Sequence, residues 1–274
     1  MEEDKVNDKE VVNSVTSLVK AIPVYQDGLQ PAVKEVGKAL GTVAKTVNIA
    51  LAPISALVWG YDQIKDFVEI KVGEKLKDIP EEKIITPDET IAGPLLESLK
   101  YTGHKEALKE MYANLLASSM NADKADNAHP SFVGIIKNMN MYEARIIQYL
   151  AKNTVLPMIH IRQVFPKRQG SIYRHKYLST ITYEIDSLDR NLLPAYYENL
   201  MRLKLVDIPV GRYLSTENIY NDLENDELVL NEMEMIDNLD DSKSEIDRSY
   251  MELTDFGRLF TVACVDLHDS VKGN

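Results

Sequence analysis

Apolar residues recur at helical spacing from early in the chain. Val11, Val12, Val15, Leu18, Val19 and Ile22 mark a short amphipathic helix that ends before Pro23, since the residue ahead of a proline is pushed out of the α region. Leu29, Val33, Val36, Leu40, Val43 and Val47 follow in alternating steps of four and three. That is a heptad seam, continued after one irregular step by Leu51, Ile54, Val58 and Tyr61. Gly37 and Gly41 lie four apart on one face, where they leave a groove for a neighbouring helix, and Pro53 kinks or restarts the helix around it. A third helix is predicted over 61–76, with Ile64, Val68, Val72 and Leu76 inward. The stretch from Thr46 to Tyr61 holds sixteen residues without a charge. Two readings fit it: a buried helix pair in a bundle, or a membrane-perturbing segment built from residues 29–61. Asn48, Pro53 and the short length favour the bundle and leave membrane contact as peripheral or triggered.

Pro80, Pro87 and Pro94 bracket Lys83-Ile84-Ile85 as an extended connector, with a helix after Pro94 that turns Leu95, Leu96 and Leu99 inward. The next helix runs from about His104 to Met120 on a stripe of Leu108, Met111, Tyr112, Leu115 and Leu116. Asn121 to Asn127 is strongly polar, and the domain junction is placed there: a helical domain over 1–126, a second domain over 127–274.

The second domain opens with Asn140-x-x-Glu143, a capping box ahead of Ala144, Ile146, Ile147 and Leu150. Pro194 to Val206 resembles the recognition helix of a winged helix-turn-helix running into a strand. Ser249 to Phe260 resembles the return strand and closing helix of the same fold. The fold expected is therefore mainly α, an N-terminal helical domain followed by a winged-helix-like α/β domain with short strands. An acidic insertion over about 211–248 takes the place of the wing.

Charge sharpens this picture. Of the net charge of −12, the stretch from Glu217 to Asp247 supplies almost all, with twelve carboxylates against Lys243 alone. Between His160 and Lys176 the sign reverses: Arg162, Lys167, Arg168, Arg174 and Lys176 stand without an acid among them. That basic loop has two readings, a nucleic-acid patch with Tyr173 and Tyr177 available to stack, or an intramolecular partner for the acidic stretch. Carboxylates in the wing position repel phosphate, so tight binding of duplex DNA is not expected.

Motifs for chemistry are sparse. The sequence holds no phosphate-binding loop, nucleophile elbow or His-Glu-x-x-His. The single Cys264 sits in an apolar helix and reads as core, and the five histidines show no metal-ligand spacing, so neither a metal nor a cofactor is expected. The opening Met1-Glu2-Glu3-Asp4 lacks the order of a secretory signal, which with the lone cysteine points to the cytoplasm.

Leu51-Ala52-Pro53-Ile54-Ser55-Ala56-Leu57-Val58-Trp59-Gly60 resembles the signature of the abortive infection alpha family of bacteria. The likeness continues through Ile79-Pro80-Glu81-Glu82, Ala92-Gly93-Pro94-Leu95 and Tyr101-Thr102. It is strongest at Met111 to Met120, followed by His129-Pro130-Ser131-Phe132, and covers roughly residues 40–150. It implies defence against phage in which the infected cell stops growing or dies. The function expected is a non-enzymatic sensor or effector that acts through a protein partner or self-association, membrane-associated, if at all, on activation. One enzymatic alternative rests on Arg168 and His175, whose spacing resembles the Arg-x(4–6)-His of HEPN ribonucleases, with the arginine on a phosphate and the histidine as base. Five histidines and nine arginines produce such a spacing by chance about as often as not, and Pro166 and Gly170 interrupt the helix it requires. A nucleic-acid-binding winged-helix regulator is the other alternative.

Overall fold

A computed structural model of the chain describes residues 61–102 and 105–265. The helices expected before residue 61, the heptad seam, Gly37, Gly41, Pro53 and nearly all of the uncharged run lie outside the described residues. Those that are described divide into two compact units, one of 61–101 and 113–130, the other of 102, 105–112 and 131–265.

In the first unit, α1 (Tyr61–Leu76) buries Ile64, Val68, Val72 and Leu76, the positions its periodicity selects. Helix α2 (Glu89–Thr102) buries Ile91, Ala92, Leu95, Leu96 and Leu99. It begins five residues before Pro94, not after it. Asp88 accepts from the Thr90 amide at 2.7 Å and its hydroxyl at 2.6 Å, which starts the helix ahead of the proline. Pro94 then costs one backbone bond near the helix start, and its own carbonyl still accepts from Ser98 Oγ at 2.8 Å. The connector before α2 is pinned by the Ile85 amide donating to Met120 O (2.8 Å) and the Ala122 amide to Lys83 O (2.9 Å). Helix α3 (Glu106–Ser119), of which residues from Ala113 onward belong to this unit, buries Leu108, Met111, Tyr112, Leu115 and Leu116.

The second unit carries α4 (Ser131–Lys137), α5 (Met141–Asn153), and then a hairpin of β1 (Val155–Phe165) and β2 (Gly170–Ser179). The capping box of α5 forms as its sequence requires: Asn140 Oδ1 accepts from the amides of Tyr142 and Glu143, and Glu143 accepts from the Asn140 amide at 2.7 Å. A short α6 (Ile181–Glu184) leads to α7 (Leu193–Arg202), β3 (Val206–Asp207), α8 (Asn221–Glu224), α9 (Glu227–Asp237), β4 (Lys243–Leu253) and α10 (Asp255–Cys264). The four strands form one antiparallel sheet in the order β2-β1-β4-β3. The protein is mainly α with this one small sheet, but only β3 is short. The segment read as a basic loop over 160–176 is the β1–β2 hairpin, turned at 166–169. The acidic interval 211–248 is no loop either: it holds α8 and α9, and from Lys243 onward it is strand paired with β1.

Side chains alternate across β1. Ile159 and Ile161 face Tyr220, Leu223, Val229 and Ile236, so the acidic interval brings an apolar face of its own to the sheet. The opposite parity, Leu156 and Met158, is equally buried, with Phe132 set edge-on to Phe260 at 5.2 Å in the same unit.

Helix α7 ends in a paired-bond turn. The Leu205 amide reaches Leu200 O, the Lys204 amide reaches Met201 O, and Lys204 takes a left-handed φ of 60° where glycine is usual. Thr254 holds that turn, donating from Oγ1 to Lys204 O (2.6 Å) and accepting from the Gly257 amide (2.8 Å) as the cap of α10. A Cβ on Gly257 would lie 1.9 Å from Leu205 O. Gly257→Ala must therefore push backbone against backbone, an overpacking cost of about 1 to 3 kcal/mol or more. The expected result is a melting temperature several degrees lower by differential scanning fluorimetry. A variant melting with the parent would show that α10 shifts without penalty.

Candidate functional site

The cations that stand out in the sequence sit on the β1–β2 hairpin and meet the carboxylates of the acidic interval. Arg162, on β1, pairs with Glu245 at 2.7 Å and Asp247 at 3.6 Å on the adjacent β4, where register sets Arg162 opposite Glu245. At the hairpin turn Lys167 approaches Asp240 (3.6 Å), while Asp241 accepts from the Lys167 amide (2.8 Å) and Arg168 Nε (3.2 Å). On β2, Arg174 Nε and His175 Nε2 share Glu232 of α9, at 3.4 and 3.3 Å. Lys176 lies 5.2 Å from the Tyr173 ring centroid and, among the described residues, has no carboxylate within 4 Å. Of the two aromatic candidates, Tyr173 donates to Asp247 at 3.2 Å and Tyr177 packs against His160 and Tyr197.

Arg168 and His175 do not share a helix. Arg168 is in the turn and His175 five residues beyond Gly170 on β2, a distance of about 16 Å at strand rise. Each is bonded to a different acid, so no single phosphate lies between them. Cys264 is fully buried in α10, and burial pushes its thiol well above the ordinary range, away from nucleophilic use. Among the described residues no group of three metal-binding side chains occurs. No helix among them is long and apolar enough to cross a membrane.

Two polar centres escaped the sequence. His160 is largely enclosed at the point where the β1–β2 register slips. Its Nδ1 accepts from the Tyr177 amide (3.1 Å), so the proton sits on Nε2, which donates to Ser249 Oγ (2.9 Å). Burial pushes its imidazole below the ordinary value, with Asp247 pulling the other way and Lys176 adding to the depression. The second centre is Asp226, the cap of α9. It accepts from Arg190 Nη1 (3.1 Å) and Nη2 (2.8 Å), from the Tyr183 hydroxyl and from the Leu228 amide (3.0 Å). The fork of Arg190 is the main reason its carboxyl is held well below the usual range, against a smaller push upward from burial. The signal that could have found it is an Asp ahead of an amphipathic run, the pattern of a helix cap. Its partner, 36 residues earlier, gives no such signal.

Between β2, the 188–194 segment and the start of α9 lies a cleft of about 520 Å³. Arg174, His175, Lys176 and Arg190 line it beside Asp189, over aliphatic side chains from Ile161, Leu178 and Val229. Such a site can hold an anionic group on an apolar body.

The sequence profile of a family described as abortive infection alpha matches residues 60–264. No curated protein matches the chain. A solved structure of an uncharacterized protein from the hydrocarbon-degrading marine bacterium Alcanivorax borkumensis SK2 is similar over 48% of this chain and 90% of its own. It shares 18% identity at a TM-score of 0.32, a likeness too slight to bear on fold or function.

The Asp226 knot has a pH signature. A carboxyl whose folded value lies below its unfolded one contributes stability above the unfolded value, about 3.9, and loses it as pH falls through that point toward the folded value. Asp226→Asn is expected to destabilise the protein at pH 7 by about 1 to 3 kcal/mol, the range for bonds to a charged group. In urea titrations from pH 7 to pH 3 the gap between parent and variant should shrink below about pH 4. A gap that stays constant would mean that the ionised carboxylate is not what stabilises the knot.

Proposed function

The chain belongs to the abortive infection alpha family, a family of abortive-infection-type defence, and from that premise we propose that it works as a non-enzymatic sensor or effector through protein contacts. One observation carries this reading. Cations that would meet a phosphate backbone are taken by carboxylates of the same chain, Arg162 by Glu245 and Arg168 by Asp241, while Arg174 meets Glu232 through Nε alone. A nucleic acid would have to displace each of them while facing the remaining acids.

The second unit reads as winged-helix-like. Its support is the order β1-β4-β3, with α7 entering β3 through the turn at Lys204 and β4 running on into α10. In that reading α7 is the helix that would enter a major groove. Its surface is poorly suited to DNA. Arg202 bonds Asn199 Oδ1 at 2.6 and 3.0 Å, and Asn199 in turn donates to Glu143 at 2.9 Å. Tyr196, stacked on Tyr142 at 5.8 Å, and the acid Glu198 stand on the same helix. A winged-helix scaffold with a committed arginine and an aromatic pair suits a protein partner.

Gel-shift titration of the intact protein with duplex DNA at low salt should show at most weak, sequence-blind binding. A nanomolar, sequence-selective complex at physiological salt would overturn the reading. In a phage-challenge assay, His175→Ala is expected to protect as the parent does, and the purified protein should leave RNA intact. Loss of protection together with loss of a measured ribonuclease activity would install the enzymatic alternative instead.

A further inference from the structure

Strand β2 is the outer strand of the sheet, and its residues from Gly170 to Lys176 are exposed. An outer strand carries backbone amides and carbonyls that have no ladder partner on one side. Helix α7 closes its C-terminal end, where Ser179 Oγ and the buried Tyr197 hydroxyl lie 2.6 Å apart. Ahead of that point runs the cleft, so the open part of the strand edge is itself one wall of a concave site.

The register explains which side chains enter it. Ile161 pairs with His175 and Arg162 with Tyr173, which leaves Arg174 as the extra residue of a bulge. Arg174 bonds Glu232 through Nε, so its two Nη groups remain to donate elsewhere. Lys176 sets its ammonium 5.2 Å from the ring of Tyr173, which packs on His160 and so lies across the sheet from Ile161, leaving Arg174 as the cation with donors to spare on the cleft side. Of the acids nearby, Asp226 is bonded to the fork of Arg190, and Asp189 is turned onto its own segment, accepting from the Asn191 amide at 2.9 Å. Beneath the cations the floor is aliphatic, from Leu178, Leu188, Val229 and Leu228, and the one ring among the lining residues is the His175 imidazole, held by Glu232 at 3.3 Å.

A base would look for a ring to stack on. A strand edge, an aliphatic floor and unspent cationic donors together match a peptide. We propose that this cleft docks an extended segment of a partner protein, carrying alternating carboxylate and aliphatic side chains, as an added strand on β2. The backbone of the segment pairs with the edge, one aliphatic side chain enters the floor, and a carboxylate meets the Nη groups of Arg174. This inference rests on the reading that the protein works through protein contacts.

The test uses the full chain and synthetic peptides followed by fluorescence anisotropy. A hexapeptide alternating Glu and Leu is compared with one alternating Lys and Leu, with the Glu–Leu peptide N-methylated at alternate residues, and with sodium octanoate as a competitor. Saturable micromolar binding of the Glu–Leu peptide is expected. It should weaken about tenfold or more for the Lys–Leu and N-methylated peptides and for the Arg174→Ala variant, whose melting curve is checked against the parent. Equal binding of the N-methylated peptide removes the added strand, displacement by octanoate at equal concentration makes the cleft a small-anion site, and absence of saturable binding removes the site; each overturns the proposal. If the peptides fail and duplex DNA also fails to bind, the cleft alone is wrong. Tight DNA binding would overturn the underlying reading.

Discussion

The fold-back of residues 214–247 onto the β1–β2 hairpin organises the second unit, and its energetics are mostly apolar. An ion pair as exposed as Lys167–Asp240 contributes about 0 to 1 kcal/mol. Burying Tyr220, Leu223, Val229 and Ile236 against Ile159 and Ile161 supplies more, at roughly 1.5 to 3 kcal/mol for each large side chain taken from water. The charges settle something else. They set which acid lies against which base, and they leave this face of the hairpin nearly neutral. Tyr220 fixes the geometry from within: its hydroxyl accepts from the Leu214 amide and donates to Ser249 O, each at 2.9 Å, tying the irregular 208–220 stretch to β4. Arg248 adds a bond from β4 to Glu224 of α8 at 2.8 Å and lies over the Tyr220 ring.

That arrangement changes what the net charge means. Read along the chain, the acidic stretch is a repulsive block beside a candidate DNA-reading helix. In three dimensions eight of its carboxylates have partners, from Glu224 to Asp247, and the repulsion is local. The argument against phosphate binding is therefore one of occupancy as much as of sign. Arg162 and Arg168, paired at 2.7 and 3.2 Å, are not available to a backbone without first losing those partners.

The helices were legible because their signals are local. The stripe of Ile64, Val68, Val72 and Leu76 and the Asn140 capping box each lie within one or two turns of chain. The start of α2 was misplaced because Pro94 is the louder signal and Asp88 the decisive one. The hairpin was missed for a different reason. Ile159, Ile161 and Val164 are β-branched residues interleaved with charge, and the basic residues drew the eye from the alternation. Of the site, the basic and acidic runs were visible as compositions, and their mutual pairing was left as one of two readings. Which base meets which acid was beyond sequence, since Arg162 and Glu245 are 83 residues apart and their meeting depends on strand register. The family resemblance was read over 40–150, whereas the matched residues run from 60 to 264 and so take in the whole second unit.

Helix α9 joins the two halves of the functional argument. Its Glu232 occupies Arg174 and His175, and its Leu228 and Val229 form part of the cleft beside β2. The cover over the cations and the wall of the docking site are thus one piece of structure, anchored at its start by Asp226 on Arg190 and at its end by Asp237 on the Ser244 amide at 2.6 Å. Moving α9 away would take Glu232 from Arg174 and dismantle the cleft in the same step. A surface that grips a peptide strand and a surface that grips phosphate are accordingly alternative states of one site. The buried Val229 and Ile236 favour the first, because the second would return their apolar surface to water.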